Sequence, residues 1–307
     1  MERDDNMSTA KHLSQVMSTS KVIPFDDTSK FIIMSDCHRG EGNWGDNFSN
    51  NQNLFFTALS YYNKRSFTYI ELGDGDELWE NRRMKNIIKT HSDAFWLMSI
   101  FYREGRLHMI YGNHDIVKKD PRYIQETCHS FYCDGSNSDL ALFPGIEITE
   151  GLILKYLNTN DTILLAHGHQ GDIINDQLWM LSRFLVRYLW KPLELIGIQN
   201  PTSASGNSEK KNYIEDNLIN WVEDHNQMLI AGHTHVPQFP KVGEPLYFND
   251  GCCVHPRCIT GIEIANGGIS LIKWSIMTRP DQLLYIGREV LEGPVELTDY
   301  FAANHKL

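Results

Sequence analysis

From Lys30 onward, short apolar runs alternate with polar, glycine-containing turns. The runs cover residues 31–34, 67–72, 107–111, 162–166 and 227–231. Each is rich in β-branched or aromatic residues and is bounded by turn formers, the pattern of buried strands rather than helices. Between the first three runs, residues 53–62 and 87–102 repeat their apolar positions at helical spacing. Strands alternating with helices predict an α/β domain. Residues 245–290 read differently, with short strands over 246–248, 258–264 and 268–274 separated by turns. They predict a second, mixed or antiparallel sheet closing the same domain.

Two departures from this rhythm suggest boundaries. Residues 1–25 are polar and predict an N-terminal tail or weak helix, and residues 291–307 a C-terminal tail, leaving a domain over 26–290. Residues 173–198 are strongly apolar, 200–212 form a polar stretch and 213–225 suggest another helix. Together, 173–225 predict a helical insert. Within it, Arg183, Arg187 and Lys191 form a basic stripe at four-residue spacing on the otherwise apolar 178–190 segment. The stripe fits a buried helix with a solvated edge, a lid whose cations meet substrate phosphate, or an interfacial helix touching a membrane surface.

Composition narrows the partners. The 307 residues carry 28 Lys and Arg against 39 Asp and Glu, a formal net charge of -11. Such a surface repels polyanions, so broad nucleic-acid binding is not expected. A small phosphorylated or nucleotide-type substrate held by cations remains compatible. Six cysteines are too few for a disulfide scaffold at this length. The charged N-terminus lacks an apolar signal core, and no apolar run is long enough to span a bilayer, so a cytoplasmic location is expected. The oligomeric state is not legible.

Every one of the five runs ends in residues suited to metal ligation: Asp36 and His38; Asp74, Asp76 and Glu77; Asn113, His114 and Asp115; His167 and His169; His233 and His235. Taken singly, most are ordinary turn chemistry, while two histidines at i and i+2 after an apolar run, His233 and His235, are a stronger signal. In open α/β sheets, however, groups at the carboxyl ends of strands converge on one crevice. Asp and His with one amide oxygen make a borderline donor set suited to Mn, Fe, Zn, Co or Ni rather than a thiolate site. At the fourth run both His167 and His169 fit. The position directly ending the run favours His167, with His169 orienting a ligand or contacting substrate.

This ordered series, Asp36-x-His38, Gly73-Asp74-x-x-Glu77, Gly112-Asn113-His114-Asp115, His167 and Gly232-His233-x-His235, resembles the calcineurin-like metallophosphoesterases. The resemblance implies a four-layer α/β/β/α sandwich of two mixed sheets. It also implies two divalent metal ions, manganese first among the candidates. Asp36, His38 and His235 would hold one ion and Asn113, His167 and His233 the other, with Asp74 shared. A metal-bridging hydroxide would then attack a phosphoester or pyrophosphate bond. His114 takes the position of the family's catalytic histidine, with Asp115 orienting it, and Asp76 and Glu77 would orient ligands through hydrogen bonds. The helical insert is a distant similarity to bacterial UDP-2,3-diacylglucosamine pyrophosphatases, although His114 stands where that group has arginine.

Two other readings compete: a non-catalytic metal-binding scaffold, and a two-metal hydrolase of another bond such as an amide. Cys37 lies between two ligands, but alternation turns it away, and Trp79 reads as a packing residue. Cys252, Cys253 and Cys258 lack paired C-x-x-C spacing and read as structural thiols. Two divalent ions would take the formal charge to about -7 and invert it locally at one sheet edge.

Overall fold

All five apolar runs form strands, but they are divided between two sheets. The structure, a computed structural model, describes residues 2–133, 137–172, 186 and 208–305. In chain order the main strands are β1 (Lys21–Phe25), β2 (Lys30–Met34), β3 (Thr68–Leu72), β4 (Leu107–Ile110), β5 (Ser130–Cys133), β6 (Ser138–Ala141) and β7 (Ile148–Thr149). They continue with β8 (Gly151–Tyr156), β9 (Thr162–Ala166), β10 (Met228–Ala231), β11 (Tyr247–Asn249), β12 (Cys258–Ala265), β13 (Gly268–Thr278) and β14 (Leu284–Glu296). The larger sheet has the order β14-β13-β12-β2-β3-β4-β7, and the smaller β1-β8-β9-β10-β11; β5 and β6 pair separately. Both large sheets are mixed. In the first, β2, β3 and β4 are parallel while β12 runs antiparallel to β2; in the second, β8 and β9 are antiparallel and β9, β10 and β11 parallel.

The expected second sheet over 245–290 is therefore not a separate layer. Residues 258–296 extend the first sheet beyond β2, and β11 joins the second. An apolar run shows that a strand is buried but not which edge it pairs with.

Strand alternation then builds the layers. Phe31, Ile33, Ile70, Leu72 and Ile110 point into one core shared with the smaller sheet, whereas Ile32, Met34, Tyr69 and Met109 point into the other. Helices α2 (Gln52–Asn63), α3 (Met84–Thr90) and α4 (Ser92–Arg103) cover this outer face through Phe55, Leu59, Ile87, Phe95 and Met98. The short α5 (Pro121–Thr127) begins with proline at its first turn and Asp120 as its cap. The smaller sheet is covered by α1 (Glu2–Thr19) and α6 (Ser208–His225), which add Leu13, Val16, Ile214, Leu218 and Trp221 to the shared core. The result is the expected four-layer sandwich.

Local differences have local causes. The helix expected over 87–102 breaks at His91, whose buried ring binds Asp46 through Nε2 at 2.8 Å and Gln52 through Nδ1 at 3.1 Å. Those contacts hold its backbone out of helical geometry (φ -109°, ψ 36°). Helix α6 starts at Ser208, inside the expected polar stretch, because Glu and Lys are good helix formers despite their polarity.

Both expected tails prove to be integral. At the N-terminus, β1 pairs in parallel with β8 from Lys21–Leu152 to Phe25–Tyr156, and Leu13 and Val16 are buried. Only these few apolar anchors lie in a polar sequence, too sparse to stand out. At the C-terminus, β14 runs to Glu296 and α7 (Leu297–Asn304) buries Leu297, Tyr300 and Phe301, a one-sided helical stripe. Within the insert only α6 belongs to the described residues, apart from Val186; the 178–190 segment with Arg183 and Arg187 otherwise lies outside them. No helix among the described residues is long and apolar enough to cross a membrane.

Leu13→Ala is expected to destabilise the protein by about 2–5 kcal/mol, the usual range for emptying a well-packed site. Urea unfolding measures it, and a change within experimental error would mean that α1 is not part of the core.

Candidate metal centre

The donor residues converge because β2, β3 and β4 end side by side in one sheet and β9 and β10 in the other. Beyond the strands the turns remain laced together. Asp36 N donates to Gly73 O (3.1 Å), His38 N to Asp74 O (2.9 Å), Arg39 N to Gly75 O (3.0 Å) and Gly232 N to His167 O (2.9 Å). These contacts force unusual backbone: Asp36, His38, Asp74, His233 and His235 all have positive φ, between 46° and 68°. Each is a conformation that non-glycine residues adopt at a cost, and such outliers cluster at functional sites. Gly112 is required for a different reason, since a Cβ there would lie 2.2 Å from Asp74 Oδ1.

Among the described residues two groups of predicted ligands result, and a third group of possible donors, His38, Glu77 and His114, adjoins them. Atoms of Asp36, His38 and His235 lie within 4.8 Å of one another, as do atoms of Asp74, His167 and His233. His235 Nε2 is 3.0 Å from Asp36 Oδ1, and His167 Nε2 is 3.1 Å from Asp74 Oδ2. His167 Nε2 also lies 3.9 Å from Asp36 Oδ1, so the groups adjoin. The carboxylates are held from behind: His114 N donates to Asp74 Oδ1 (2.8 Å), and His233 N to Asp36 Oδ2 (2.9 Å). His167 Nδ1 donates to the Leu72 carbonyl at 2.8 Å, directing Nε2 into the site.

The donor set fits metal cations on a test independent of motif. Asp36 Oδ1, Asn113 Oδ1, His167 Nε2 and His233 Nε2 are buried without a well-formed hydrogen bond, although Asp36 Oδ1 and His167 Nε2 each face an opposite charge, at 3.0 and 3.1 Å respectively. Buried polar atoms are rarely left so, and cations would satisfy all four. Asn113 is fully buried, on the same turn as His114. His169 is buried behind His167, with ring centroids 5.7 Å apart, and belongs to neither donor group.

His114 is held by a carboxylate, but not by Asp115. Its Nδ1 lies 2.7 Å from Glu77 Oε2, which also meets His38 Nδ1 at 3.0 Å. Asp115 instead turns inward, accepting from Gly112 N (2.7 Å), Gly75 N (3.2 Å) and Lys118 Nζ (2.7 Å). A residue adjacent in sequence points away from its neighbour in an extended turn, while Glu77 arrives from the next strand. Asp76 likewise orients no ligand; it binds Arg39 Nε at 2.8 Å and Lys118 Nζ at 2.6 Å. Trp79 does more than fill space, stacking on the His114 ring at 4.2 Å and 19°. Nothing in the residue type marked this contact beforehand.

Beneath the site lies a buried ionic cluster that sequence reasoning missed. Arg39 binds Glu71 through both terminal nitrogens, at 2.7 and 2.9 Å, as well as Asp76. All of its members, including Lys118 and Asp115, are buried. Ser35 Oγ adds a second hidden link, lying 2.6 Å from Asp250 Oδ1 and donating to Asp36 Oδ2. Burial, reinforced by the Asp36 charge, pushes the Asp250 carboxyl well up. Ser35 Oγ thus bridges the Asp250 and Asp36 carboxyls.

Charge is concentrated elsewhere in the site. Burial opposes ionisation of Asp36 and Asp74, yet His235 and His167 hold both carboxyls far below the usual range. Burial likewise opposes protonation of His167 and His235, but Asp74 and Asp36 respectively raise them to about 9. His233, buried and facing His167, is lowered.

The two-sheet α/β sandwich thus brings paired His and carboxylate donors that could hold metals to one set of strand ends. The calcineurin-like phosphoesterase family matches over residues 29–237, and the chain belongs to that family. No curated protein matches it by overall sequence. Among solved structures it is similar to Chaetomium thermophilum Vps29, at 9% identity and a TM-score of 0.37, covering 86% of this chain and 95% of that one.

Two predictions follow from this geometry. His167 and His235 have raised values, so in metal-free protein their stabilisation is complete below about pH 6.5 and is lost as pH rises through about 9. Chelator-treated protein should melt at lower temperature at pH 9 than at pH 6.5, while Mn²⁺ binding strengthens over the same range; a Tm insensitive to pH there contradicts the assignment. Arg39→Met should cost about 3–5 kcal/mol in urea unfolding by stranding buried carboxylates, and Arg39→Lys should not fully restore stability, lacking the two-pronged grip.

Proposed function

We propose that the protein is a dinuclear metal-dependent hydrolase acting on phosphoester or pyrophosphate bonds. The observation that carries this reading is the pair of adjoining donor groups with buried, unpartnered ligand atoms. Asp36, His38 and His235 would hold one divalent ion, and Asn113, His167 and His233 the other, with Asp74 shared between them. Manganese suits the N/O donors best, with Fe, Zn, Co or Ni as alternatives. When bound, such ions supply Lewis acidity toward phosphoryl oxygens and a water activated at neutral pH.

The chain's own residues do the rest. His114 belongs to neither group of predicted ligands, sharing a third with His38 and Glu77, and stands beside Asp74, where a leaving oxygen would depart. With Nδ1 on Glu77, its Nε2 is the atom presented to substrate. Protonation of the leaving oxygen by His114 would complete cleavage. Trp79, stacked on the ring, fixes its plane. Glu77 joins this acid to the metal-binding His38, so one carboxylate aligns both.

Chelator should abolish turnover and Mn²⁺ restore it on at least one of aryl phosphomonoesters, phosphodiesters and nucleotide-sugar diphosphates. Asp74→Ala should be inactive. His114→Ala should lower kcat by about 10²–10⁴-fold while keeping its metal, as expected for loss of a general acid. Absence of metal-dependent turnover on all three substrate types would sink the proposal, and loss of a metal ion from His114→Ala would remove His114 from the acid role.

A further inference from the structure

Five residues beyond His167, the chain places a carboxylate that belongs to neither donor group. Asp172 is 3% exposed and follows the 3-10 turn His169–Gly171. Its Oδ2 lies 3.7 Å from His233 Nε2, one of the buried donor atoms without a hydrogen-bond partner. On its other side the same oxygen is 2.7 Å from Lys210 Nζ, on α6. The buried ion pair with Lys210 holds this oxygen in place beside the donor atom. A fixed negative charge therefore stands beside one metal-binding atom, with a cation from another element standing against it.

We propose that Asp172 and Lys210 set the affinity of the metal place built by Asp74, Asn113, His167 and His233, the carboxylate strengthening it and the ammonium weakening it. This rests on the dinuclear reading above. Electrostatics fixes the signs. A carboxylate next to a buried donor lowers the energy of a cation there whether it ligates directly or through water, and Lys210 offsets that gain. Helix α6 is positioned to transmit the effect, because it is tied to the site a second time. Thr234, between His233 and His235, donates through Oγ1 to Glu215 Oε1 at 2.9 Å. Displacement of α6 would move Lys210 away from Asp172 and tighten metal binding, coupling α6 to metal occupancy.

The test is Mn²⁺ binding to the chelator-stripped full chain, followed by calorimetry and by electron paramagnetic resonance, with no activity readout. Asp172→Asn should weaken one of two Mn²⁺ ions about tenfold and leave the other unchanged, and Lys210→Met should tighten that same ion by a similar factor. Lys210→Arg should behave as wild type. Opposite signs separate this role from packing, since a merely structural pair would weaken binding in both variants. Equal weakening, or no change in either, overturns the proposal. If Asp172→Asn does not fold by circular dichroism, the sign of the Lys210→Met change decides alone. Wild-type protein that binds no Mn²⁺ would overturn the dinuclear reading itself, whereas two ions insensitive to both substitutions would overturn only this one.

Discussion

The structure depends on a buried ionic cluster that no substrate or metal would touch. Arg39 follows β2, Glu71 lies within β3, Asp76 follows β3, and Asp115 and Lys118 follow β4. The guanidinium grips Glu71 and Asp76, the Lys118 ammonium grips Asp76 and Asp115, and Asp115 accepts the amides of Gly75 and Gly112. Three turns carrying Asp36 and His38, Asp74 and Glu77, and Asn113 and His114 are thus clamped from below. Bringing Asp36, Asp74 and Glu77 together is electrostatically unfavourable, and left-handed backbone at five donor residues adds strain. The cluster is the compensation. It is specific because a planar guanidinium satisfies two carboxylates at once, which an ammonium does less well.

That division explains why the upper and lower halves of the site differ in legibility. The donors were readable because each ends an apolar run, and strand ends converge in this class of fold. Arg39 and Lys118 were not, since a charged residue in a polar turn looks solvated until its partners are known. Asp115 was given the wrong partner for a related reason. Adjacency in sequence suggested that it served His114, whereas pairing of β3 with β4 delivers Glu77 from another turn. Trp79 was read as packing, and only tertiary placement reveals the ring stacked on His114.

At the level of the fold, the same logic holds. The five buried strands declared themselves through composition, and the sandwich followed. The termini did not. Leu13 and Val16 are two apolar residues in a polar helix, yet they reach the core because β1 pairs with β8 and draws α1 over the smaller sheet. Strands 258–264 and 268–274 were visible, but their partner was not, because side-chain alternation specifies faces rather than neighbours. Long-range pairing is a property of the whole chain and leaves a weak mark on any one segment.

The acid excess acquires a different meaning in this setting. A formal charge of -11 argues against polyanion binding only if the negative charge reaches the ligand. Here Asp36, Asp74, Glu77, Asp76 and Asp115 are buried, and each is met by histidine, arginine, lysine or backbone amide. In metal-free protein the countercharges at Asp36 and Asp74 include protonated His235 and His167. Those imidazoles must give up their protons to serve as metal ligands, so cation and proton compete for one set of atoms. The carboxylates hold in place whichever positive charge stands between them and the crevice. What the sequence presents as an anionic protein is, at this sheet edge, a set of paired charges whose buried donors could hold cations.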